Sequence, residues 1–335
     1  SDLHLAEGQP PKVRIHGDMT PLRDTPMDRK EISDLLSEVS GPERWKAFQE
    51  RLDFDWAYEM SEDTRFRCNY LNQLNGYGAV FRVIPTKIPT VEDLGLPPVI
   101  KDFGKIKGGL VLVTGPTGSG KSTTLASVID FINTNYSKHI VTIEEPIEFV
   151  HNNKRSVITQ REVPVDTPSF ATGLKASLRE DADVVLVGEM RDLETISLAL
   201  TAAETGLLVY GTLHTNNARK TVDRIIDVFP ASQQPQIRTM LSASLRGVVA
   251  QLLFKRADGK GRLAINEILI CNAASSAIIR EGATQKLQDV LVGGKGAGMQ
   301  LMDDAIMKVL NQGLISPHEA YMKAIDKNRF AQFLG

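Results

Sequence analysis

One stretch limits what this chain can fold into more than any other. Gly109-Leu-Val-Leu-Val-Thr114 is an apolar run of strand length. It leads into Gly115-Pro-Thr-Gly-Ser-Gly-Lys-Ser122, and Ser122 to Asn135 then reads as a helix. A glycine-rich turn between a strand and a helix is the context in which the pattern GxxxxGK(S/T) signals a phosphate-binding loop. Gly115, Gly118 and Gly120 let the backbone curl until its N–H groups point inward, at the head of a helix whose dipole also favours anions. The expected binding set is Gly115, Thr117, Gly118, Ser119, Gly120, Lys121, Ser122 and Thr123. Within it Lys121 reaches the β and γ phosphates, and the Ser122 hydroxyl holds Mg²⁺. A plain glycine-rich surface turn is the poorer reading, given both flanks.

The chain of 335 residues exceeds one typical core, so two domains are expected. A net charge of -2 gives no bulk attraction to nucleic acid or an anionic membrane. No uninterrupted apolar window approaches the roughly 18 residues of a transmembrane helix, and no signal peptide is visible. Cys68 and Cys271 lie far apart, which points to a reducing compartment and leaves no tetracysteine zinc site. The sequence opens at Ser1 rather than Met, so the natural start is expected to lie upstream.

The first 88 residues mix short strands with one helical stretch. Lys12 to His16 alternates and precedes a turn at Gly17-Asp18. Arg29 to Ser40 has apolar residues at 32, 35, 36 and 39, a helical period. Arg65 to Tyr70 and Gly78 to Ile84 are two further strands, expected to pair. Pro85, Pro89, Pro97 and Pro98 then interrupt any regular element, which places a linker over 85–98 and a domain boundary near residue 90.

From Gly109 onward strands and helices alternate. His139 to Glu144, Asp183 to Gly188 and Leu207 to Thr212 read as strands, with helices over 168–180 and from Asp192 to Thr205. Glycine-interrupted helices follow, with one late strand from Arg262 to Ile270 and short helices at Met302–Gln312 and Ser316–Asp326. Such alternation implies an α/β fold with a mostly parallel sheet covered on both faces.

Catalytic groups in such a sheet gather at the C-terminal strand ends. The first of these carries Glu144, Glu145 and Glu148, three carboxylates suited to water activation or Mg²⁺ binding; an acidic surface turn is the plainer alternative. The second ends in Gly188-Glu-Met-Arg-Asp192, where Glu189 is placed to hold Mg²⁺ or orient water. The third ends at His214, able to sense a γ-phosphate or relay a hydrogen bond. A lone His at a strand end is more often structural, but its place in this series favours a functional reading.

Four ordered segments carry a resemblance: Gly115 to Thr123, Thr142 to His151, Val187 to Asp192, and Tyr210 to Asn216. They resemble the Walker A, Asp box, Walker B and His box of the secretion ATPase superfamily, and within it the type IV pilus retraction ATPases, the PilT family. Ser1-Asp-Leu-His-Leu5, Leu193 to Gly206, Arg224 to Pro230 and Gly298-Met-Gln300 extend the likeness over nearly the whole chain. The resemblance implies a smaller α+β PAS-like N-terminal domain (1–89), a linker (90–105), and a RecA-like P-loop ATPase domain with C-terminal helices (106–335). It implies ATP and Mg²⁺ as ligands and a homohexamer, cytoplasmic and peripheral to the inner membrane at the pilus base. An inner-membrane platform protein and the pilus machinery are the implied partners, with no nucleic acid and no direct membrane insertion.

The resemblance also assigns roles. Arg67 and Arg82 match arginines that close onto the phosphates from the N-terminal domain, and Arg179 is a second candidate. Glu148 positions water and Glu189 coordinates Mg²⁺; the two roles are open to exchange. The chain departs from the family pattern in three places: Glu145 stands for Asp, Lys175 for Arg, and Ser276 for the first Arg of a motif associated with retraction, here Ala273 to Glu281. The last departure bears on the load, not on hydrolysis. The alternatives are an accessory retraction ATPase, a secretion-system ATPase, or, against the net charge, a RecA-like nucleic-acid translocase.

Overall fold

The structure, a computed structural model, describes residues 2–15, 18–61, 64–84 and 87–334. Ser1, His16 of the expected alternating run, Gly17 of the expected turn, and Pro85 of the expected linker lie outside these residues. Two compact units are formed, Ser1–Lys87 with Pro146–Val150, and Ile88–Glu145 with His151–Gly335.

The smaller unit is an α+β arrangement. Its strands are β1 (Asp2–Ala6), β2 (Lys12–Ile15), β3 (Asp18–Pro21), β4 (Asp53–Ser61), β5 (Thr64–Gln73) and β6 (Gly76–Ile84), with helix α1 (Arg29–Arg51) between β3 and β4. They form one antiparallel sheet in the order β3-β2-β1-β6-β5-β4. The expected pairing of β5 with β6 is present, and its register sets Arg67 directly opposite Arg82. Helix α1 starts where the Asp28 carboxylate accepts the Glu31 N–H at 2.8 Å. It runs past the expected end at Ser40: Gly41, at φ 74, and Pro42 kink the chain, and the helix resumes to Arg51. Its apolar face meets the sheet around Phe48, Trp56 and Tyr70, with Phe48 and Tyr70 edge to face at 5.5 Å.

The larger unit opens with the short helix α2 (Val99–Asp102). Then follow β7 (Gly109–Thr114), α3 (Lys121–Asn135), β8 (His139–Glu144), β9 (Val157–Glu162), α4 (Phe170–Ser177), β10 (Val184–Val187), α5 (Leu193–Glu204) and β11 (Leu208–Leu213). Helices α6 (Ala218–Asp227) and α7 (Gln234–Ser244) lead to the hairpin β12 (Leu245–Lys255) and β13 (Arg262–Ile270). The chain closes with α8 (Ala273–Glu281), α9 (Leu287–Gly293), α10 (Met302–Asn311), α11 (Pro317–Lys323) and α12 (Asn328–Ala331). The sheet order is β13-β12-β7-β11-β10-β8-β9, parallel except for the β12–β13 pair.

Two of these strands are absent from the sequence reading. β9 is an edge strand beside β8, and β12 is a buried strand beside β7, in a stretch that reads as interrupted helix. Helix α4 is shorter than expected, since Ser169 caps it and Leu178 ends it. The fold class expected from the sequence is the one observed: a mostly parallel sheet with apolar layers on both faces. Leu110, Leu112, Val185 and Val187 face the layer built with α5, α6 and α7, while Val111, Val113, Val184 and Leu186 face the layer built with α3. The period of two is thus realised strand by strand. Cys68 and Cys271 are both free thiols.

Leu112 lies at the centre of this sheet, fully buried. Leu112→Ala is expected to lower stability by about 2–5 kcal/mol, seen as a lower urea midpoint. Val165→Ala, at an exposed position, is expected to stay within about 0.5 kcal/mol of the parent.

Candidate functional site

The site is built where the parallel strands end. β11 lies between β7 and β10, so the residues that follow these three strands emerge side by side. The Gly115 N–H donates to Leu213 O at 3.2 Å, and the Met190 N–H to Thr212 O at 3.1 Å. Close approach selects glycine here. A Cβ on Gly211 would lie 2.2 Å from Met190 Sδ, and one on Gly188 would lie 3.0 Å from Ile143 O. Thr212 Oγ1 adds a bond of 2.5 Å to Gly188 O, which fixes the turn before Glu189.

The loop between β7 and α3 has the shape that its glycines imply. Gly115, Gly118 and Gly120 take φ values of 147, 77 and 85. A Cβ on Gly115 would also lie 2.3 Å from Gln251 O. No side chain caps α3, so its N-terminus keeps its polarity for a ligand. Lys121 Nζ lies over the loop, donating to Gly115 O at 2.9 Å and Pro116 O at 3.3 Å. The Ser119 hydroxyl is buried without a partner. A curled backbone, an uncapped helix start, a lysine at its mouth and an orphaned hydroxyl together fit a nucleotide phosphate chain. Thr117 and Gly118 are exposed on the rim, and Ser122 and Thr123 are half-buried in the first turn of α3.

Glu189 and His214 meet. Glu189 Oε1 accepts from His214 Nε2 at 2.7 Å and from Arg191 Nε at 2.5 Å. The first of these bonds requires the imidazole proton on Nε2. Burial pushes the Glu189 carboxyl up, but the bonds from Arg191 and His214 outweigh it and hold its pKa below the usual value. Its side chain is 17% exposed, against 68% for Arg191 and 46% for His214, so the pair opens to solvent on one side. Asp192, which ends the same motif, is instead a helix cap: it accepts the Thr195 N–H and hydroxyl, both at 2.8 Å. Glu144 Oε1 accepts from Thr142 Oγ1 at 2.7 Å and Gln160 Nε2 at 3.3 Å, a structural use of its carboxylate; Glu145 is exposed.

The remaining candidates are spread over the two units. Arg179 is exposed in the turn after α4. Glu148 is exposed in the Pro146–Val150 segment, which belongs to the smaller unit. Arg67 and Arg82 also belong to that unit. Arg82 Nε pairs with Asp2 Oδ1 at 2.6 Å, and Arg67 lies 4.0 Å from Asp55. The second unit therefore brings together the phosphate loop, Glu189 and His214, and does not contain Glu148, Arg67 or Arg82.

Sequence reasoning missed the role of Arg191, which lies inside a quoted motif, and missed a cavity of about 480 Å³ beside the loop. That cavity lies between Gly120 and Thr123 on one side and Leu253, Leu263 and Arg262 on the other. One wall comes from the unexpected strand β12 and its partner β13, and another from Glu92 to Gly95. Among the described residues no cluster of three or more His, Cys, Asp or Glu could hold a metal. A hydroxyl from Ser122 and a carboxylate from Glu189 fit Mg²⁺ nonetheless, because that ion takes one or two protein ligands and completes its shell with phosphate and water.

The comparisons with known proteins agree with this geometry. The family described as "Type II/IV secretion system protein" matches residues 12–321. Over 324 residues the chain is 48% identical to the "Type IV pilus retractation ATPase PilT" of Pseudomonas aeruginosa, covering 97% of this chain and 94% of that protein. It is 49% identical over 314 residues to the "Twitching motility protein" of Neisseria gonorrhoeae, covering 94% and 84%. A crystal structure of the pilus retraction motor PilT with bound ADP superposes with a TM-score of 0.92 at 44% identity, over 99% of this chain and 95% of that one. The chain belongs to the type II/IV secretion system protein family, in its pilus retraction ATPase (PilT) branch.

Proposed function

We propose that this protein is an ATP-hydrolysing motor that retracts type IV pili and so drives twitching motility. The observation that carries the reading is near-full-length likeness to a pilus retraction ATPase, joined to a phosphate loop beside a hydrogen-bonded carboxylate–imidazole pair. ATP is the substrate. The curled backbone of Gly115–Gly120 and the Lys121 ammonium bind its phosphates, with Thr117, Ser119 and Thr123 completing the cradle. The cavity bounded by Leu253 and Leu263 takes the rest of the nucleotide.

Ser122 and Glu189 would hold Mg²⁺, which would supply charge neutralisation to the transferring phosphoryl group. Glu189 accepts a hydrogen bond from His214 Nε2 and so fixes the tautomer of the imidazole, which serves as the sensor of the γ-phosphate in this reading. Glu148 orients water. Arg67, Arg82 and Arg179 supply positive charge to the phosphates in the assembled motor, a contribution worth ~10³–10⁵ in rate in other NTPases.

The working domain layout is 1–89, 90–105 and 106–335. The motor is a homohexamer. It works in the cytoplasm, peripheral to the inner membrane, against a platform protein of the pilus machinery. No helix among the described residues is long and apolar enough to cross a membrane, and a net charge of -2 offers no general attraction to nucleic acid.

Measurements on the purified protein and in cells test this. Purified protein with Mg²⁺ is expected to hydrolyse ATP. Lys121→Ala should weaken ADP binding at least about tenfold, ~1.4 kcal/mol. Glu189→Gln should lower turnover by about 10²-fold or more with little change in ADP affinity; full turnover in that variant removes Glu189 from the chemistry. In cells, deletion of the protein should leave surface pili that accumulate without twitching. Loss of pili instead would mean assembly, and unchanged pili with unchanged twitching would rule out retraction.

A further inference from the structure

Gln251 is an amide in the middle of an apolar strand. Its neighbours along β12 are Val248, Val249, Ala250, Leu252, Leu253 and Phe254, and it is 1% exposed. A buried amide there costs free energy unless every polar atom is bonded. Both polar atoms of the Gln251 amide are bonded. Its Nε2 donates to Ser119 O at 2.7 Å. Its Oε1 accepts from Thr124 Oγ1 at 2.8 Å and from Asn266 Nδ2 at 2.9 Å. One side chain therefore holds a peptide of the phosphate loop, the first buried turn of α3, and the neighbouring strand β13.

The contact with Ser119 O has a consequence for the loop. In a trans peptide the C=O and the following N–H point in opposite directions. Anchoring Ser119 O behind the loop therefore points the N–H of Gly120 the opposite way, away from Gln251 and toward the side where the nucleotide reading places the phosphates. Gly120 is held equally close, since a Cβ there would come 3.0 Å from Gln251 Nε2, and Gly115 is pressed against the Gln251 carbonyl from the other arm. Leucine or methionine would fill the same volume and leave the Ser119 carbonyl free to rotate. Glutamate in its ionised form would set an acceptor against that carbonyl.

The clamp is itself backed. Asn266, directly opposite Gln251 in the β12–β13 register, is 1% exposed. Its backbone carbonyl accepts from Gln300 Nε2 at 2.7 Å, and the Gln300 backbone exchanges two hydrogen bonds with Ile268, at 3.0 and 3.1 Å. This gives Gln300, the last residue of the Gly298-Met-Gln300 signature, a place in the same network.

We propose that Gln251 is a positioning residue for the nucleotide site, setting the curvature of the phosphate loop from behind through Ser119 and Thr124. The proposal rests on the nucleotide reading of that loop. A loop that is pre-shaped binds the phosphates of substrate and transition state alike, so its loss appears in KM and leaves kcat nearly unchanged. The test compares full-length wild type, Gln251→Met, Thr124→Val and the double variant, by ADP titration, steady-state ATP hydrolysis and urea unfolding. Gln251→Met should raise the Kd for ADP and the KM for ATP at least about tenfold, with kcat within about threefold. Thr124→Val, which loses only a hydroxyl, should shift both constants the same way by a smaller factor. The double variant should fall short of the product of the two. A purely structural Gln251 would lower the urea midpoint and leave Kd and KM unchanged, which overturns the proposal. If Gln251→Met does not fold, unchanged constants in Thr124→Val overturn it as well. Wild-type protein that binds no ADP would instead overturn the nucleotide reading, and the clamp with it.

Discussion

A ring of backbone N–H groups pointing at one another is unfavourable until an anion fills it, so something outside the ring must hold it in shape. Three constraints do so here. The glycines at 115, 118 and 120 permit φ values that other residues resist. The β7 strand that delivers the loop is pinned between β11 and β12. The Gln251 amide fastens the outer face of the loop to the β12–β13 hairpin. The strand ends that carry Glu189 and His214 follow β10 and β11, and β11 is the neighbour of the β7 strand that delivers the loop.

The chemistry beside the loop follows from strand order. A parallel sheet sets the ends of adjacent strands roughly 5 Å apart, which is hydrogen-bonding reach for side chains one or two residues beyond those ends. Glu189 follows β10 and His214 follows β11, and the two strands are neighbours. Their side chains meet at 2.7 Å without any special loop. Arg191 neutralises the same carboxylate oxygen. The result is an imidazole held in one tautomer at the edge of solvent.

Much of this was legible in the sequence, for stated reasons. The loop announced itself because glycine spacing, an apolar strand and a helix agreed with one another. Glu189 and His214 were found because each follows an apolar run of strand length. The sheet order was not legible, since nothing in the sequence says that β7 neighbours β11 rather than β8. β12 was missed because Leu245 to Phe254 is apolar almost throughout, and a continuous apolar run fits a buried helix as well as a buried strand. The cavity walls and the Gln251 clamp were missed with it. A signal was present: one amide inside an apolar run is costly unless it has partners, and that alone marks Gln251 for attention. In the smaller unit, Asp53 to Ser61 alternates Phe54, Trp56, Tyr58 and Met60, a period of two that betrays β4. The helical period read from the sequence covers only Arg29 to Ser40; Gly41-Pro42 make a kink beyond it, and the apolar face resumes at Phe48.

The departure at Ser276 has a physical reading that leaves the engine untouched. Helix α8 is started by a reciprocal cap in which Asn272 accepts the Ser275 N–H at 3.0 Å and Ser275 Oγ accepts the Asn272 N–H at 2.8 Å. It is ended by Gly282 at φ 73. Neither end depends on residue 276, and Ile279 supplies the buried anchor of the helix. Ser276 is half-buried and Arg280 is exposed. Exchanging an arginine for serine at 276 therefore removes a charge from a helix that forms regardless. The change alters what this helix offers to whatever it touches while the caps and the buried anchor that form it stay as they are.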